Sequence, residues 1–553
     1  MLVYLVATIA LGNAGFEHNL YNYGATGNVP LSDMNGQGRF WIGQAWLQLY
    51  WLAFATMLMV IAHALWRRGV TADLRPRLAQ LRQRLHGRAL VVMAGAALVW
   101  IGSGAWIFYN TNVLNRYVTR PEHDRTMADF EKTLLPFESV LQPRVADVTL
   151  AVDLYPRETR AVTHGRYTLV NRSTQAIPEL HLQWAENLRL DGIDFPGATV
   201  KTDYPRFHYR IYRLATPMQP GEQRTLGFTT TLEERGFPNG APLTTIVANG
   251  SFISNSQIAP SIGFARHGLL DERAKRRKYG RVAELRPPKL EDESARQYNE
   301  LSHDSDWVTS DITVTTDGDQ TPIAPGQTLS DTGISADRNA RRTVHFRSDA
   351  PINQFFSIQS GRYEIRHATW HVPGAQPARD VDLAVYYTPG HEFNVDRMLD
   401  AMAQSLTLFS DRFTPYQFKQ ARIIEFPAYA TFAQSFANTI PFSEGIGFVQ
   451  HFTDPTKIDV ATYVTAHEVG HQWWGHQLVP ADQQGGSMLV ETFAQYSALL
   501  VMEKMYGKDQ VRRFLKYELD RYLRSRGGAV LEELPLNRVE NQDYIYYRKG
   551  SVA

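Results

Sequence analysis

The sequence predicts a multidomain α+β protein with transmembrane helices at its N-terminus, a β-rich middle and a mainly helical C-terminal domain. Three observations lead to this fold class. Two charge-free apolar stretches lie near the N-terminus, and short runs with a period of two residues follow them. After Pro389 and Gly390 the period of the apolar residues becomes helical. At 553 residues the chain is also too long for one domain.

Composition excludes several classes of function. Lys and Arg total 57 against 56 for Asp and Glu, so the formal net charge is +1 and no nucleic-acid partner is expected. The chain contains no cysteine, which excludes disulfides, zinc thiolates and a cysteine nucleophile. A chain without cysteine fits either side of a membrane, so this observation does not identify the compartment.

Residues 1–112 are predicted to form a transmembrane region. Residues 42–65 and 89–108 each lack Asp, Glu, Lys and Arg, and each is long enough to cross a hydrocarbon core of about 30 Å as a helix. A pair of buried helices in a soluble protein is the alternative reading. Residues 1–12 are apolar but too short to span, and they lack the basic start of a signal peptide.

The loop between the two apolar stretches predicts their orientation. Residues 66–88 contain a single acid, Asp73, and seven arginines: Arg67, Arg68, Arg75, Arg77, Arg82, Arg84 and Arg88. Short arginine-rich loops stay cytoplasmic, so the chain from residue 113 onward is expected to face the periplasm or the cell exterior. The sequence thus predicts a multi-pass protein of a bacterial inner membrane, with the lipid bilayer as a partner.

A linker is predicted at residues 113–145, with a short helix near 122–135. From residue 146 to 388, short runs of alternating apolar residues follow one another, separated by Gly, Pro and Asn. One face of the first run carries Val148, Leu150, Val152 and Leu154. These runs predict a mostly antiparallel β domain. The basic run at 271–281 is interpreted as a solvated loop.

Residues 389–553 are predicted to form the catalytic domain. A helix is expected near 393–410, a strand at 421–426, and two more helices at about 455–475 and 487–506. Asp454 is the predicted cap of the helix at 455–475, and Pro455 suits its first turn.

The segment from His467 to His471 reads H-E-x-x-H. The two histidines are four residues apart, so they share one face of a helix and can hold one ion, and Glu468 is placed to act as a general base. Two partly buried histidines without a metal are the alternative reading. Glu491 favours the metal, because it is the only charged residue between 483 and 502 and a buried carboxylate is costly unless it is paired or metal-bound. Two histidines, one carboxylate and a water form a catalytic zinc site.

These residues resemble the gluzincin metallo-aminopeptidase family, the aminopeptidase N relatives. In that family a helix reading like E-G-F-A supplies the glutamate ligand, and "ETFAQY" matches it here. Nineteen residues separate His471 from Glu491, one more than in the family, and the loop around "HQLVPADQQGG" is expected to absorb the difference. The resemblance covers roughly residues 145–553. It implies one zinc ion, a peptide substrate, and a saddle-like β domain before a thermolysin-like catalytic domain.

Two further motifs carry the resemblance. The family's G-A-M-E-N, whose glutamate binds the free amine of the substrate, is similar to "PFSEG" at 441–445, which retains only Glu444. An ordinary loop carboxylate is the alternative reading of Glu444. The family's Y-x-K-G, whose tyrosine stabilises the tetrahedral intermediate, matches "YRKG" at 547–550 and nominates Tyr547. A packing role for Tyr547 or its neighbour Tyr546 is the alternative.

Three aromatic residues near the motif receive other roles. Trp473 and Trp474 are expected to pack in the core around the site rather than to contact substrate. His476 is not expected to bind the same ion, because it lies beyond the pair of histidines that share a helix face.

The resemblance implies a membrane-anchored zinc metallopeptidase that hydrolyses peptide bonds and removes N-terminal residues from peptides outside the cytoplasm. As an alternative, membrane spans fused to such a domain resemble permease-type subunits of bacterial ABC exporters. The outer domain would then serve transport or partner binding, with an ABC ATPase subunit as partner. The chain is also expected to be a fragment cut at both ends, since it stops six residues after Tyr547 and begins with an apolar segment too short to span.

Overall fold

The computed structural model describes residues 6, 9–12, 14–66, 74–335, 337, 339–454, 457–529 and 531–552. Arg67, Arg68, Asp73 and Pro455, together with most of residues 1–8, lie outside the described residues, so the predictions made for them are not tested. The chain divides into two compact units. The first consists of Met1–Leu31, Gly36–Thr126 and Glu234–Leu243, and the second of Ser32–Asn35, Met127–Glu233 and Thr244–Ala553.

Two long helices dominate the first unit. The helices of this unit are α1 (Trp41–Ala64), α2 (Leu74–Ala79), α3 (Leu81–Arg84) and α4 (Gly87–Phe108), and a π-helical turn at Tyr109–Leu114 extends α4. Where α1 and α4 meet, Leu47, Tyr50 and Ile107 are buried in one apolar cluster, and Phe237 packs against it. The first unit therefore has an apolar core of its own between its two long helices.

Both long helices have the length and apolar composition needed to cross a membrane. They contain most of the two predicted spans, 42–65 and 89–108. Only 22% of the most apolar window of the first helix and 11% of that of the second is buried. Four of the large apolar side chains that α1 and α4 leave exposed are Leu52, Met59, Val91 and Leu98.

The second unit begins with a domain of β-sheets. Its largest sheet has seven strands in the order β12-β13-β10-β1-β2-β7-β4. All pairs in this sheet are antiparallel except β1 with β10. The strands up to this domain's end are β1 (Arg144–Tyr155), β2 (Arg160–Val170), β3 (Ile177–Gln183), β4 (Leu188–Asp194), β5 (Ala198–Tyr204), β6 (Tyr209–Met218), β7 (Gln223–Glu233), β8 (Ser251–Ser254), β9 (Ser261–Ile262), β10 (Ser305–Asp317), β11 (Thr321–Ile323), β12 (Gln327–Asp331), β13 (Arg341–Arg347) and β14 (Ser357–Gly361).

The alternation of apolar residues explains how these strands pack. Val148, Leu150, Val152 and Leu154 are all buried, so the face that the sequence predicts for the first strand is confirmed. Two smaller sheets complete the domain, one with the order β11-β14-β8 and the other with the order β5-β6-β3-β9.

A fourth sheet lies under the catalytic helices. It contains β15 (Glu364–His371), β16 (Asp380–Tyr387), β17 (Gln420–Phe426) and β18 (Thr439–Ser443), in that order. The strand β17 pairs in parallel with both β16 and β18. This sheet contains strands from both sides of the domain boundary predicted between residues 388 and 389. The sequence does not show this, because an alternating run has the same pattern whichever sheet it joins.

The remaining helices belong mainly to the catalytic part of the chain. They are α5 (Arg120–Leu134), α6 (Arg273–Lys278), α7 (Val395–Arg412), α8 (Val460–Gly470), α9 (Phe493–Tyr506), α10 (Lys508–Arg526) and α11 (Gly550–Val552). The helix predicted from residue 455 starts at Val460, and its cap is Asp459, whose side chain accepts the backbone N–H of Thr462 at 3.0 Å. The prediction of Asp454 as the cap is therefore wrong.

The basic run at 271–281 also differs from its prediction as a solvated loop. It contains α6, and the side chain of Arg276 is fully buried. Two guanidinium nitrogens of Arg276 donate to the two oxygens of Glu131 at 2.9 Å each. Glu131 lies 145 residues from Arg276 in the chain, so this bidentate partner is not visible in the local sequence. The ion pair places Arg276 in the core, although the run around it has the composition of a surface segment.

Replacing Arg276 with Met should lower the free energy of unfolding by about 3–5 kcal/mol, because it leaves the buried carboxylate of Glu131 without its cation. Chemical denaturation of the purified chain measures this loss. Arg277→Met, on an exposed neighbour, is the matched control and should change stability by less than about 0.5 kcal/mol. Equal losses in the two variants would contradict a special role for the buried pair.

Candidate metal centre

Helix α8 brings two imidazole rings together. His467 and His471 are one turn apart on the same face, and their Nε2 atoms are 3.1 Å from each other. Asp459 fixes the start of this helix, since it also accepts a hydrogen bond from Tyr506 Oη at 2.7 Å and pairs with Arg397. The position of both rings is therefore supported by a polar network around the buried Asp459 at the far end of the helix.

The second ring nitrogen of His471, Nδ1, already has a hydrogen-bond partner within the protein. Its Nδ1 lies 3.0 Å from the carbonyl oxygen of Trp474, and a carbonyl only accepts, so Nδ1 donates. The lone pair of His471 is therefore on Nε2, which faces His467. A backbone carbonyl in this role orients a metal-binding histidine.

Glu491 supplies the third donor atom. Its Oε2 lies 3.5 Å from His467 Nε2 and 3.4 Å from His471 Nε2. This buried oxygen has no hydrogen-bond partner in the part of the chain that the structure describes. Two imidazole nitrogens and one carboxylate oxygen, all within 4.8 Å of one another, are the donor set of a catalytic zinc site. A zinc ion fits here because it would satisfy the oxygen that the protein leaves without a donor.

The helix that carries Glu491 is irregular at the ligand itself. Residues Met488–Thr492 form a π-helical turn before α9 begins at Phe493. A π-helical turn holds one residue more than an α-helical turn. The chain has one residue more between His471 and Glu491 than the resembling family. The preceding loop is the predicted place of this extra residue, and the π-helical turn is a second place that accommodates one.

Glu468 lines the cavity in front of the three donors. It is buried, and burial raises the pKa of its carboxyl, while the two neighbouring histidines act in the opposite direction. The cavity has a volume of about 110 Å³. Its wall is formed by Leu301, Phe355, Ala433, Gln434, Ser435, His467, Glu468, His471, Trp474, Gly475, His476, Val490, Glu491 and Tyr547.

Tyr547 reaches the same cavity from a separate element. It lies in a π-helical turn at Tyr544–Lys549, and its ring centroid is 6.3 Å from that of His467. Thr492 Oγ1 donates to the Tyr546 carbonyl at 2.6 Å, and Gln495 Nε2 donates to the Tyr547 carbonyl at 3.4 Å. Burial and the charge of Glu491 raise the pKa of Tyr547, so its hydroxyl keeps its proton and can donate.

Glu444 does not lie with the other predicted site residues. It is buried and absent from the cavity wall given above. Its carboxylate accepts hydrogen bonds from the backbone N–H groups of Asp33, Met34 and Ala428. Both oxygens are therefore already bonded within the protein. The role of Glu444 in binding the substrate amine stays a prediction, which this geometry does not favour.

The cavity wall includes an edge segment, Ala433–Ser435, that the sequence interpretation missed. Gln472 Nε2 donates to Ser435 Oγ at 2.6 Å, and His476 Nε2 lies 3.1 Å from the Ser435 carbonyl, to which it donates. Burial lowers the pKa of His476 to about 4, so this ring is neutral. Asn353 donates to its other nitrogen at 3.2 Å. Both nitrogens are thus used, which agrees with the prediction that His476 does not bind the ion.

The two tryptophans have different surroundings. Trp473 is buried against Phe409 and Tyr416 and donates to the Thr414 carbonyl at 2.8 Å, so its predicted core role is confirmed. Trp474 also packs on other rings, but it lines the cavity. Its predicted packing around the site is observed, and the absence of a substrate contact stays a prediction.

Comparisons with known proteins agree with this geometry. Residues 397–550 match the peptidase family M1 domain. A search of curated proteins found no match. Among solved structures, the M1 zinc metallopeptidase from Deinococcus radiodurans is 20% identical with a TM-score of 0.52, over 76% of this chain and 84% of that one.

A second solved structure is Legionella pneumophila aminopeptidase A in complex with aspartic acid. It is 15% identical with a TM-score of 0.50, over 69% of this chain and 40% of that one. At these identities the structural likeness establishes the fold. The domain match confirms the resemblance to the gluzincin metallo-aminopeptidases, and the donor set described above fits zinc.

Replacing Glu491 with Gln should release the metal, because an amide oxygen is a neutral and weaker ligand. Replacing Glu468 with Gln should leave about one zinc per chain, because Glu468 is not among the three donors. Elemental analysis after dialysis measures both contents. Loss of zinc from E468Q, or full retention in E491Q, would contradict this assignment of the ligands.

Proposed function

We propose that this chain, a zinc-dependent metallopeptidase with a peptidase family M1 domain at residues 397–550, hydrolyses peptide bonds in the cavity beside His467, His471 and Glu491. The observation that carries the proposal is the buried Oε2 of Glu491, which faces two imidazole nitrogens and has no donor among the described residues. Zinc, when bound there, acts as a Lewis acid that polarises the scissile carbonyl and acidifies water.

Glu468 moves the protons of the reaction. It directly follows His467 in the sequence and lies on the wall of the cavity in which the attacking water would be held. Its carboxylate takes a proton from the attacking water and then gives it to the leaving amine. The raised pKa that burial gives Glu468 makes it a stronger base than an exposed carboxylate, which suits this role.

Tyr547 stabilises the charge that develops on the substrate. The former carbonyl oxygen becomes an oxyanion as water attacks, and a preorganised donor stabilises that charge more than mobile water does. Tyr547 lines the cavity and keeps its proton. Its turn is held to the helix of Glu491 by the Thr492 and Gln495 hydrogen bonds.

Removal of N-terminal residues is the specificity we propose. The family of the catalytic domain supports it, and so does the cavity volume of about 110 Å³, which suits part of one residue better than an extended peptide. Since Glu444 is buried elsewhere, the substrate amine would meet the carboxylates on the cavity wall. Among the described residues these are Glu468 and Glu491.

We also propose that the chain is membrane-anchored through α1 and α4, with the catalytic domain outside the cytoplasm. The length, apolar composition and exposed surface of the two helices support anchoring. The arginines between the helices support the orientation. The resemblance to permease-type subunits of ABC exporters, with an ABC ATPase as partner, rests on these helices alone and stays a prediction.

Replacing Glu468 with Gln should lower kcat by about 10²–10⁴-fold, because the proton carrier is lost. Replacing Tyr547 with Phe should lower kcat by about 10²–10³-fold, because one oxyanion donor is lost. A panel of fluorogenic aminoacyl substrates measures both effects. Tyr546→Phe is the matched control, since the neighbouring hydroxyl does not belong to the cavity wall.

The same panel tests the proposed specificity. N-acetylated versions of the best substrates should be cleaved poorly, because they carry no ammonium to pair with the cavity carboxylates. Equal cleavage of free and blocked peptides would contradict an exopeptidase. Wild-type activity in E468Q would contradict the proposed mechanism as a whole.

Single cysteines should report the orientation of the helices, because the natural chain has none. Thr174→Cys and Gln83→Cys place a thiol at exposed positions on the two proposed sides. An impermeant maleimide should label T174C in intact bacterial cells with a permeabilised outer membrane, and Q83C only after lysis. Labelling of Q83C in intact cells would reverse the proposed orientation.

A further inference from the structure

The carboxylate of Glu444 holds a short segment of the same compact unit. The segment is Ser32–Asn35, called the strap below. The backbone N–H of Asp33 donates to Glu444 Oε1 at 3.1 Å, and that of Met34 donates to Oε2 at 3.1 Å. The backbone N–H of Ala428 adds a third bond at 2.8 Å. Two successive N–H groups on the two oxygens of one buried carboxylate form a specific, charge-assisted attachment.

The strap also fits a notch beside Asn249 and Gly250, just before β8. Met34 is 8% exposed, and Asn35 Nδ2 donates to the Asn249 carbonyl at 2.7 Å. Gly250 has a φ of +78°, and a Cβ at this position would lie 2.6 Å from Met34 Cε. Only glycine leaves space for the methionine here. The notch is therefore shaped for the side chain of the strap as well as for its backbone.

His391 and Glu425 lie beside Glu444. His391 Nδ1 lies 2.5 Å from Glu425 Oε1, and donor atoms of His391, Glu425 and Glu444 all lie within 4.8 Å of one another. The hydrogen bond to Glu425 raises the pKa of His391, with burial acting against it and Glu444 adding to the rise. His391 and the two carboxylates thus form one compact polar cluster at the end of β18.

Glu444 is connected directly to the wall of the zinc cavity. It follows the last residue of β18, Ser443, whose N–H donates to the Phe432 carbonyl at 3.1 Å. The N–H of Gln434 donates to the Pro441 carbonyl at 3.0 Å. The edge segment Ala433–Ser435 is therefore hydrogen-bonded along one side of β18. The strand ends directly before Glu444, the residue to which the strap is bonded.

We propose that the strap positions the edge segment Ala433–Ser435 of the zinc cavity by holding the end of β18 through Glu444. Glu444 then acts as a positioning residue. The inference rests on the proposed peptidase function, because the edge segment is a wall of its cavity. It makes the shape of the catalytic cavity depend on a segment that precedes the first long apolar helix in the chain.

The test uses Asp33→Pro in the full-length chain, because proline removes the N–H that donates to Glu444 Oε1. Asp33→Ala is the matched control, since it loses the same side chain but keeps the N–H. We expect D33P to lower kcat/KM by about tenfold, mainly through KM, because a hydrogen bond to a charged group is lost. D33A should stay within about twofold of the wild type. Zinc content should be unchanged in both variants.

Two further measurements separate positioning from a general loss of structure. Hydrogen exchange at residues 430–445 should become faster in D33P and not in D33A. An N-acetylated peptide with the sequence of residues 29–37, VPLSDMNGQ, should restore part of the activity of D33P. It should not restore the activity of Glu444→Gln, which places an amide N–H₂ against the strap. If D33P does not fold, Met34→Ala, which empties the notch but keeps the N–H, should show the same rise in KM in a smaller degree.

Three results would overturn the proposal. One is a D33P variant with wild-type KM and unchanged exchange at residues 430–445. Another is equal damage in D33P and D33A. The third is a second zinc per chain that E444Q releases, since His391, Glu425 and Glu444 would then be a metal site. A wild-type chain that binds zinc but cleaves no peptide would refute the proposed function instead, and hydrogen exchange would still test the strap.

Discussion

The catalytic site depends on the close packing of two helices. One carboxylate oxygen must stand within 3.5 Å of two imidazole nitrogens, and these groups come from α8 and from the turn before α9. Gly470 makes this approach possible, because its Cα faces Ala494, where a Cβ would lie 3.3 Å from the Ala494 Cα. The small residue inside the H-E-x-x-H motif thus sets the spacing of the donors as much as the ligands themselves do.

Polar networks away from the donors fix the parts of the cavity. Asp459 ties the start of α8 to Arg397 and Tyr506, while Gln472 and His476 hold the edge segment from the end of the same helix. The strap holds the opposite end of that wall through Glu444. Asp459, Gln472, His476 and Glu444 are buried, so their hydrogen bonds constrain direction as well as distance. A site with a donor spacing this narrow needs such supports.

Irregular helical turns recur at the residues singled out by the sequence. Glu444, Glu491 and Tyr547 each lie in a π-helical turn. A π-helical turn has weaker internal hydrogen bonding than an α-helical one, and it persists only where surrounding contacts hold it. Here Thr492 and Gln495 link the turn of Glu491 to that of Tyr547. The two functional side chains are thus positioned by contacts between their own irregular turns.

The sequence by itself determined the features that depend on local pattern. The period of two residues gave the buried face of β1, the charge-free stretches gave the two long apolar helices, and the four-residue spacing of His467 and His471 gave the metal site. The solitary charge in an apolar helix identified Glu491. Such features are predictable because strand alternation, helix periodicity and the cost of a buried charge act within a few residues of the chain.

Only the tertiary structure decided which distant groups meet. Asp454 and Asp459 are equally good caps by residue type, but Asp459 alone lies beside Tyr506 and caps α8. Arg276 looks like a surface residue until Glu131 is placed against it. Glu444 follows a motif-like stretch, yet its oxygens face the backbone of residues 33 and 34, some 410 positions earlier. A carboxylate's role depends on which donors surround it, and long-range folding alone brings those donors together.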